Sequence, residues 1–453
     1  MLRAINPATG ELLSEHAPLA AEDLEDRLVA ADHAARAWRL VPLAERTARL
    51  GAAARILEEE RARFAHLITS EMGKPIAQAL AEVDKCALVA RHYADHAAEM
   101  LAPETVAGDA RVSYVRFDPL GVVLAVMPWN FPFWQVFRAA APTLAAGNVV
   151  LLKHSSNVPG CALAIEEIFA RAGFPAGVFS ALLIDAETAE RLVDDPRVAA
   201  ATLTGSEAAG AGVAARAGAR IKKTVLELGG SDPFIVLADA DVEAAARVAA
   251  QARLINSGQS CVAAKRFIVA EAAAEGFTEA LVRHVAAAKV GDPLDPETEV
   301  GPLAREDLLL ALDRQVRESR EAGARVLVGG KRLERRGFFY APTVLADVRP
   351  EMAVLREETF GPVAPVIAVA DEDEALALAN DSAYGLAASV WSRNVGAAGR
   401  FAARLEAGAV FVNGMVKSDP RLPFGGVKRS GYGRELGREG IREFVNIKTI
   451  VIA

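Results

Sequence analysis

Between residues 121 and 412, short apolar runs take turns with longer segments of helical periodicity, and no other feature restricts the fold so strongly. Residues 121–127, 149–153, 178–183, 200–203 and 224–228 are predicted as strands, and 132–144, 160–172, 185–194 and 206–218 as the helices between them. Strands spaced by helix-length segments favour a parallel sheet with helices on both faces. A second block of the same texture follows Gly229-Gly230. Its predicted strands are 234–237, 266–269, 325–328, 363–369, 389–391 and 409–412, with helices at 242–256, 275–289, 305–322, 372–381 and 397–405. The fold class is therefore α/β, with a boundary between two sheets near 228–231. Upstream, 21–101 reads as two or three amphipathic helices, broken near Val41-Pro42 and Gly73-Lys74-Pro75. The strands 111–117 and 445–452 are left over, free to pair with each other or with another subunit.

A chain of 453 residues is too long for one core, so two or more domains are expected. A net charge of -8 argues against a nucleic-acid partner, which demands a basic face. The apolar runs are too short to cross a bilayer, and the N-terminus carries no apolar signal core. Cys86, Cys161 and Cys261 form neither a disulfide framework nor a metal-ligand spacing. No metal is expected, and a reducing cytoplasm fits this cysteine usage.

An isolated cysteine is more often a small buried apolar residue than a nucleophile, and Cys86 and Cys161 are read that way. Cys261 differs in its setting. It ends Asn256-Ser257-Gly258-Gln259-Ser260-Cys261, a glycine-containing turn after a helix, where a thiol gains access and thiolate character more easily. Glu227, ahead of Leu228-Gly229-Gly230, puts a carboxylate at the end of a predicted strand, suited to activating water. Asn130, within Pro128-Trp129-Asn130-Phe131-Pro132, offers a rigid amide to a developing oxyanion, although a helix cap is its ordinary role.

Together these segments resemble the aldehyde dehydrogenase superfamily. Leu203-Thr204-Gly205-Ser206, Glu357-Glu358-Thr359-Phe360-Gly361-Pro362-Val363 and Pro423-Phe424-Gly425-Gly426-Val427-Lys428-Arg429-Ser430-Gly431 match it too, in the family's order along nearly the whole chain. The resemblance implies a modified Rossmann cofactor domain over 1–100 and 120–229, and a catalytic domain over 230–440. Residues 101–119 and 441–453 would form a β arm for a homodimer or homotetramer. It further implies that the Cys261 thiolate attacks an aldehyde while Asn130 and the Cys261 backbone N–H hold the oxyanion. Hydride passes to a nicotinamide, and Glu227 activates water to hydrolyse the thioester.

The same resemblance assigns Trp129, Lys153, Ser156, Gly205, Ser206, Glu358 and Phe360 to the cofactor, Phe360 being read equally well as core packing. NAD-preferring relatives usually carry a Glu where this chain has Ser156. A carboxylate there would repel a 2′-phosphate and a serine beside Lys153 would accept it, so NADP is expected, with NAD possible. Trp134, Arg138, Ser418 and Phe424 are the expected substrate contacts, Arg138 gripping a carboxylate bidentately. In this region the chain looks most like the short bacterial succinate-semialdehyde dehydrogenases. Another acidic aldehyde, such as glutarate semialdehyde or a phosphorylated aldehyde, stays open as substrate, as does a catalytically silent NADP-binding relative.

Overall fold

Val122–Met127 is buried along almost its whole length, as a β-branched run must be when helices cover both faces of its sheet. In the computed structural model, which describes residues 1–453, it lies at the centre of a six-stranded sheet. The order is Gly431–Tyr432, Lys223–Glu227, Val198–Thr204, Val122–Met127, Val149–His154, Phe179–Ala181. All neighbours are parallel except the first pair. The chain order thus reverses between Val122–Met127 and Val198–Thr204, which opens a crevice beyond their carboxyl ends. Every residue of the helix Trp134–Ala145 is buried beneath this sheet, so the segment after Asn130 has no freedom to drift.

The second sheet has seven strands, in the order Arg325–Val328, Thr343–Ala346, Val363–Val369, Ala264–Ala270, Asp232–Val236, Ala387–Trp391, Ala409–Val412. Only Arg325–Val328 runs antiparallel to its neighbour. Side chains alternate between its two faces, as the period of a strand requires. Ile235 and Ile268 enter one core, while Phe234, Val236, Phe267 and Val269 enter the other. Each such buried aliphatic side chain contributes roughly 1.5–3 kcal/mol.

The predicted alternation holds in both sheets, with differences at particular elements. Residues 21–101 form four helices, Ala21–Trp38, Leu43–Glu59, Arg61–Met72 and Ile76–Met100, rather than two or three. The additional break, at Glu60, contains neither Pro nor Gly and so leaves no sequence mark. Gly73 ends the third helix with φ 80°, where an added Cβ would stand 2.7 Å from the Pro302 ring. Among the strands not predicted are three of four or five residues: the N-terminal pair Leu2–Ile5 with Leu12–His16, and Thr343–Ala346. The predicted helix 242–256 stops at Leu254, because Asn256 and Ser257 take positive φ.

The two left-over strands pair with each other. Val445–Ile452 runs antiparallel to Val112–Pro119 over eight residue pairs, joined by the short strand Glu104–Thr105. No helix is long and apolar enough to cross a membrane, and no group of three or more His, Cys, Asp or Glu is placed to hold a metal ion.

Candidate active site

Parallel strands deliver their carboxyl ends to one edge, and four sequence-predicted segments arrive there together. Trp129 and Asn130 follow Met127, Lys153 and Ser156 close the next strand, Gly205 and Ser206 follow Thr204, and Glu227 is itself a strand end. Cys261 comes from the other sheet, on the loop ahead of Ala264–Ala270. The site therefore lies where the edges of the two sheets face each other.

The loop that carries Cys261 is strained and tied down. Asn256, Ser257 and Gly258 stand at φ 52°, 56° and 78°, a left-handed run that only Gly adopts freely. Each of the two non-glycine residues costs roughly 1–3 kcal/mol in this region. Offsetting this, the Asn256 Nδ2 donates to the carbonyls of Asn130 (2.7 Å) and Gln259 (3.0 Å). Ser257 Oγ exchanges hydrogen bonds with the Gly301 backbone, and Arg253 donates to the Gly258 carbonyl at 2.6 Å. Gly258 is obligatory, since a Cβ would lie 2.2 Å from the Gly361 carbonyl oxygen. The Asn130 amide reaches the same loop, donating from Nδ2 to the Gln259 carbonyl at 3.1 Å. The Asn130 amide and the thiol loop are thus one hydrogen-bonded unit.

A carboxylate holds the Asn130 segment from beneath. Glu82 Oε1 accepts from the backbone N–H of Phe133 (2.9 Å) and Trp134 (3.0 Å), capping a helix that has no capping residue of its own. The buried Lys74 ammonium pairs with Glu82 and sits 3.7 Å from the centroid of the Phe131 ring. The helix starts at Trp134, two residues later than predicted.

Burial pushes the Cys261 thiol up to about 11, with Arg138 and Lys265 drawing it down and Glu227 and Glu358 adding to the rise. Burial also lifts Glu227 well above the usual carboxylate range; Arg138 opposes that and Glu435 reinforces it. Glu227 Oε1 has no hydrogen-bond partner. Lys265, fully buried, donates from Nζ to the Cys261 carbonyl (2.7 Å) and pairs with Glu358 (3.0 Å).

A cavity of about 210 Å³ opens on Cys261 and is walled by Phe131, Trp134, Arg138, Ser418 and Phe424, which unites all the expected substrate residues. A larger groove of about 920 Å³ along the helix Glu271–Ala287 holds no nucleophile. One expectation is corrected here. Arg138 is not a free fork awaiting a bidentate carboxylate: its Nε is in ion-pair contact with buried Glu435, and a terminal nitrogen donates to Thr204 Oγ1 at 3.2 Å. Its guanidinium also rests 4.7 Å from the centroid of the Phe424 ring. An unpaired guanidinium at that depth would be costly, so the protein supplies the countercharge itself.

Lys85 was missed. It stands on the helix Ile76–Met100, lines the same cavity, and donates from Nζ to Ser418 Oγ at 2.7 Å. Its neighbourhood in sequence, Val83-Asp84-Lys85-Cys86, looks like any solvated helical face.

On the cofactor side, Ser156 is exposed and Lys153 half-buried at the crevice edge. Burial lowers the Lys153 pKa, and Asp185 is the acidic group that pulls it back up. Ser206 caps the helix Glu207–Ala219 by accepting from Ala209 N–H, and Gly205 N–H donates to the Glu227 carbonyl at 3.0 Å. Glu358 accepts from Gly230 N–H at 3.1 Å and leaves no room for a side chain at Gly229, where a Cβ would be 2.6 Å away. Trp129 and Phe360 meet edge to face, centroids 5.8 Å apart, with Phe360 partly exposed rather than sealed in the core.

The sequence profile of the Aldehyde dehydrogenase family matches residues 1–450. A probable succinate-semialdehyde dehydrogenase [NADP(+)] of Synechocystis is 55% identical over 452 residues, covering 100% of both chains. A succinate semialdehyde dehydrogenase [NAD(P)+] of Escherichia coli is 49% identical, covering 99% of this chain and 97% of its own. Among solved structures, the succinic semialdehyde dehydrogenase of Streptococcus pyogenes, in complex with NADP+ as the cofactor, superposes with a TM-score of 0.98. It is 40% identical and covers 100% of each chain. Matched along nearly its whole length by that profile and by relatives at about half identity, the chain belongs to the aldehyde dehydrogenase family.

Proposed function

We propose that this protein oxidises succinic semialdehyde to succinate with NADP+ as the preferred hydride acceptor. The observation that carries this reading is the cavity itself: Cys261 at one position, and Lys85, Arg138 and the Ser418 hydroxyl elsewhere on an otherwise mostly apolar wall. An aldehyde with a short aliphatic spacer and a terminal carboxylate suits such a wall. The naming of close relatives after this substrate points the same way.

The cofactor crevice fits a dinucleotide with a 2′-phosphate. Ser156 is exposed beside a lysine and stands where a ribose-binding carboxylate would exclude that phosphate. Gly205 and the Ser206-capped helix start suit the pyrophosphate, and Trp129, Glu358 and Phe360 suit the nicotinamide end. When bound, the cofactor supplies the hydride acceptor.

The protein's own groups then have separable tasks. The Cys261 thiol, partly exposed, yields its proton to solvent, and the thiolate attacks the carbonyl carbon, forming a C–S bond while the C=O π pair moves onto oxygen as an oxyanion. Asn130 Nδ2 turns from the Gln259 carbonyl to that oxygen, joined by the Cys261 N–H, which makes no backbone hydrogen bond of its own. Loss of hydride from this adduct leaves a thioester. Glu227, whose raised pKa makes it a stronger base, takes a proton from water, and hydrolysis frees the acid and the thiol.

In this reading 1–100 with 120–229 hold the cofactor and 230–440 carry the nucleophile. The arm 101–119 with 441–453 joins copies into a homodimer or homotetramer in the cytoplasm. Its strand Val445–Ile452 has one free edge and exposes Ile447, Val451 and Ile452. Light scattering of the purified protein tests the assembly. Steady-state reduction of NADP+ and NAD+ with succinic, glutaric and uncharged aldehydes tests the activity. The expected result is the highest kcat/KM for succinic semialdehyde with NADP+. A higher value with glutarate semialdehyde or with NAD+ would replace that half of the proposal, and no turnover of any aldehyde would leave a silent relative.

A further inference from the structure

Three cations border the cavity; Lys417 is exposed to solvent, and the two set deeper, Lys85 and Arg138, differ in what balances them. Arg138 faces Glu435 inside the protein. Lys85 has no such partner: its one hydrogen bond goes to the neutral Ser418 hydroxyl, and its ammonium lies 4.2 Å from the centroid of the Trp134 ring. The acids nearest to it are spoken for. Asp419 is held by two hydrogen bonds from Arg421, at 2.8 and 2.6 Å, and Glu82 by Lys74. An ammonium has three donors, and Ser418 uses one.

We infer that Lys85 is the specificity-determining cation of this enzyme, binding the substrate's terminal carboxylate together with Ser418 while Arg138 braces the wall behind it. The inference rests on the reading of an anionic aldehyde as substrate. An apolar wall strengthens the contact, because a carboxylate drawn among Trp134, Phe131 and Phe424 leaves water and needs a full countercharge. The lysine itself bears the mark of that setting. Burial lowers its pKa to about 8, helped by Arg138 and opposed by Cys86, Glu82 and Asp419, so an arriving carboxylate restores a charge that the empty cavity disfavours.

The test compares succinic semialdehyde with butanal, which has the same carbon chain and no charge, in wild type, Lys85→Met, Lys85→Gln and Lys85→Arg. The ratio of kcat/KM for the acid to that for butanal should fall about 10- to 100-fold in the Met and Gln variants, through KM for the acid. Lys85→Arg should recover most of the ratio, since it keeps the charge. Equal losses on both substrates, or an unchanged ratio, would overturn the role of Lys85. A wild type without preference for the acid would instead overturn the substrate reading on which the inference rests. Lys85→Gln keeps a donor for Ser418, so it reports on charge even where Lys85→Met disturbs folding.

Discussion

The two sheets of this protein are made by the same rules and serve the site by opposite means. The first presents Asn130, Ser206 and Glu227 just beyond or at the carboxyl ends of parallel strands, in relaxed backbone. The second presents Cys261 ahead of a strand, on a loop with two non-glycine residues in left-handed conformation. Groups that bind or accept protons can sit on ordinary geometry. The thiol proposed as nucleophile follows a strained turn that neighbouring hydrogen bonds must hold, which costs the fold stability at that point.

That contrast can be broken most sharply at Asn130. Replacing it with Ala removes an oxyanion donor from the relaxed side, and kcat should fall about 10²–10³-fold with little change in melting temperature. A comparable loss of melting temperature would mean the amide is chiefly a brace for the Gln259 loop. The thiol offers the second test. With its pKa near 11, Cys261 should react with iodoacetamide about 100-fold faster at about pH 9 than at about pH 7, because only the thiolate attacks. Mass spectrometry should find the label on Cys261 alone, since Cys86 and Cys161 are fully buried. A flat pH profile would show a thiolate already formed.

Asn256→Ala addresses the strained side directly. It strips the donor from the Asn130 and Gln259 carbonyls and leaves a residue less tolerant of φ 52°. Stability should drop by about 1–3 kcal/mol in denaturant titration, with kcat down about tenfold as the thiol loop loosens. Activity lost without stability would detach the strain from the fold. The smallest effect is the pH dependence expected from Lys85. A lysine with a lowered pKa is charged below about 8 and neutral above it, so KM for succinic semialdehyde should rise a few-fold through that range. Arg138, Asp419, Glu82 and Cys86 face it and set the midpoint; Lys85→Arg should flatten the curve.

The sequence makes one of these regions far more legible than the other. Val363–Val369 was found to the residue, because a buried β-branched run has no alternative placement, and Val445–Ile452 equally so, its β-branched residues marking a strand even though most of it is exposed. Asn130, Glu227 and Cys261 stood out because each sits in a short segment whose turn chemistry is local. Lys85 did not, since the role proposed for it comes from a cavity assembled by Ser418 and Trp134 on distant elements. The ion pair of Arg138 with Glu435 was equally invisible, and it changed the expected grip on substrate. The break at Glu60 was hidden for a plainer reason: it has no helix breaker.

The short strand Gly431–Tyr432 sets a clock on all of this. It pairs Gly431 with Glu227 and Tyr432 with Leu226, closing the edge of the first sheet with residues from near the end of the chain. Glu435, the countercharge of Arg138, arrives with it. During synthesis the thiol loop and the oxyanion donor emerge long before their acid–base partner gains its final surroundings. A chain halted before Gly431 thus holds the thiol loop and Asn130 while Glu227 still lies on an open sheet edge and Arg138 lacks its countercharge, so the proposed hydrolytic half of the site is the last to be assembled.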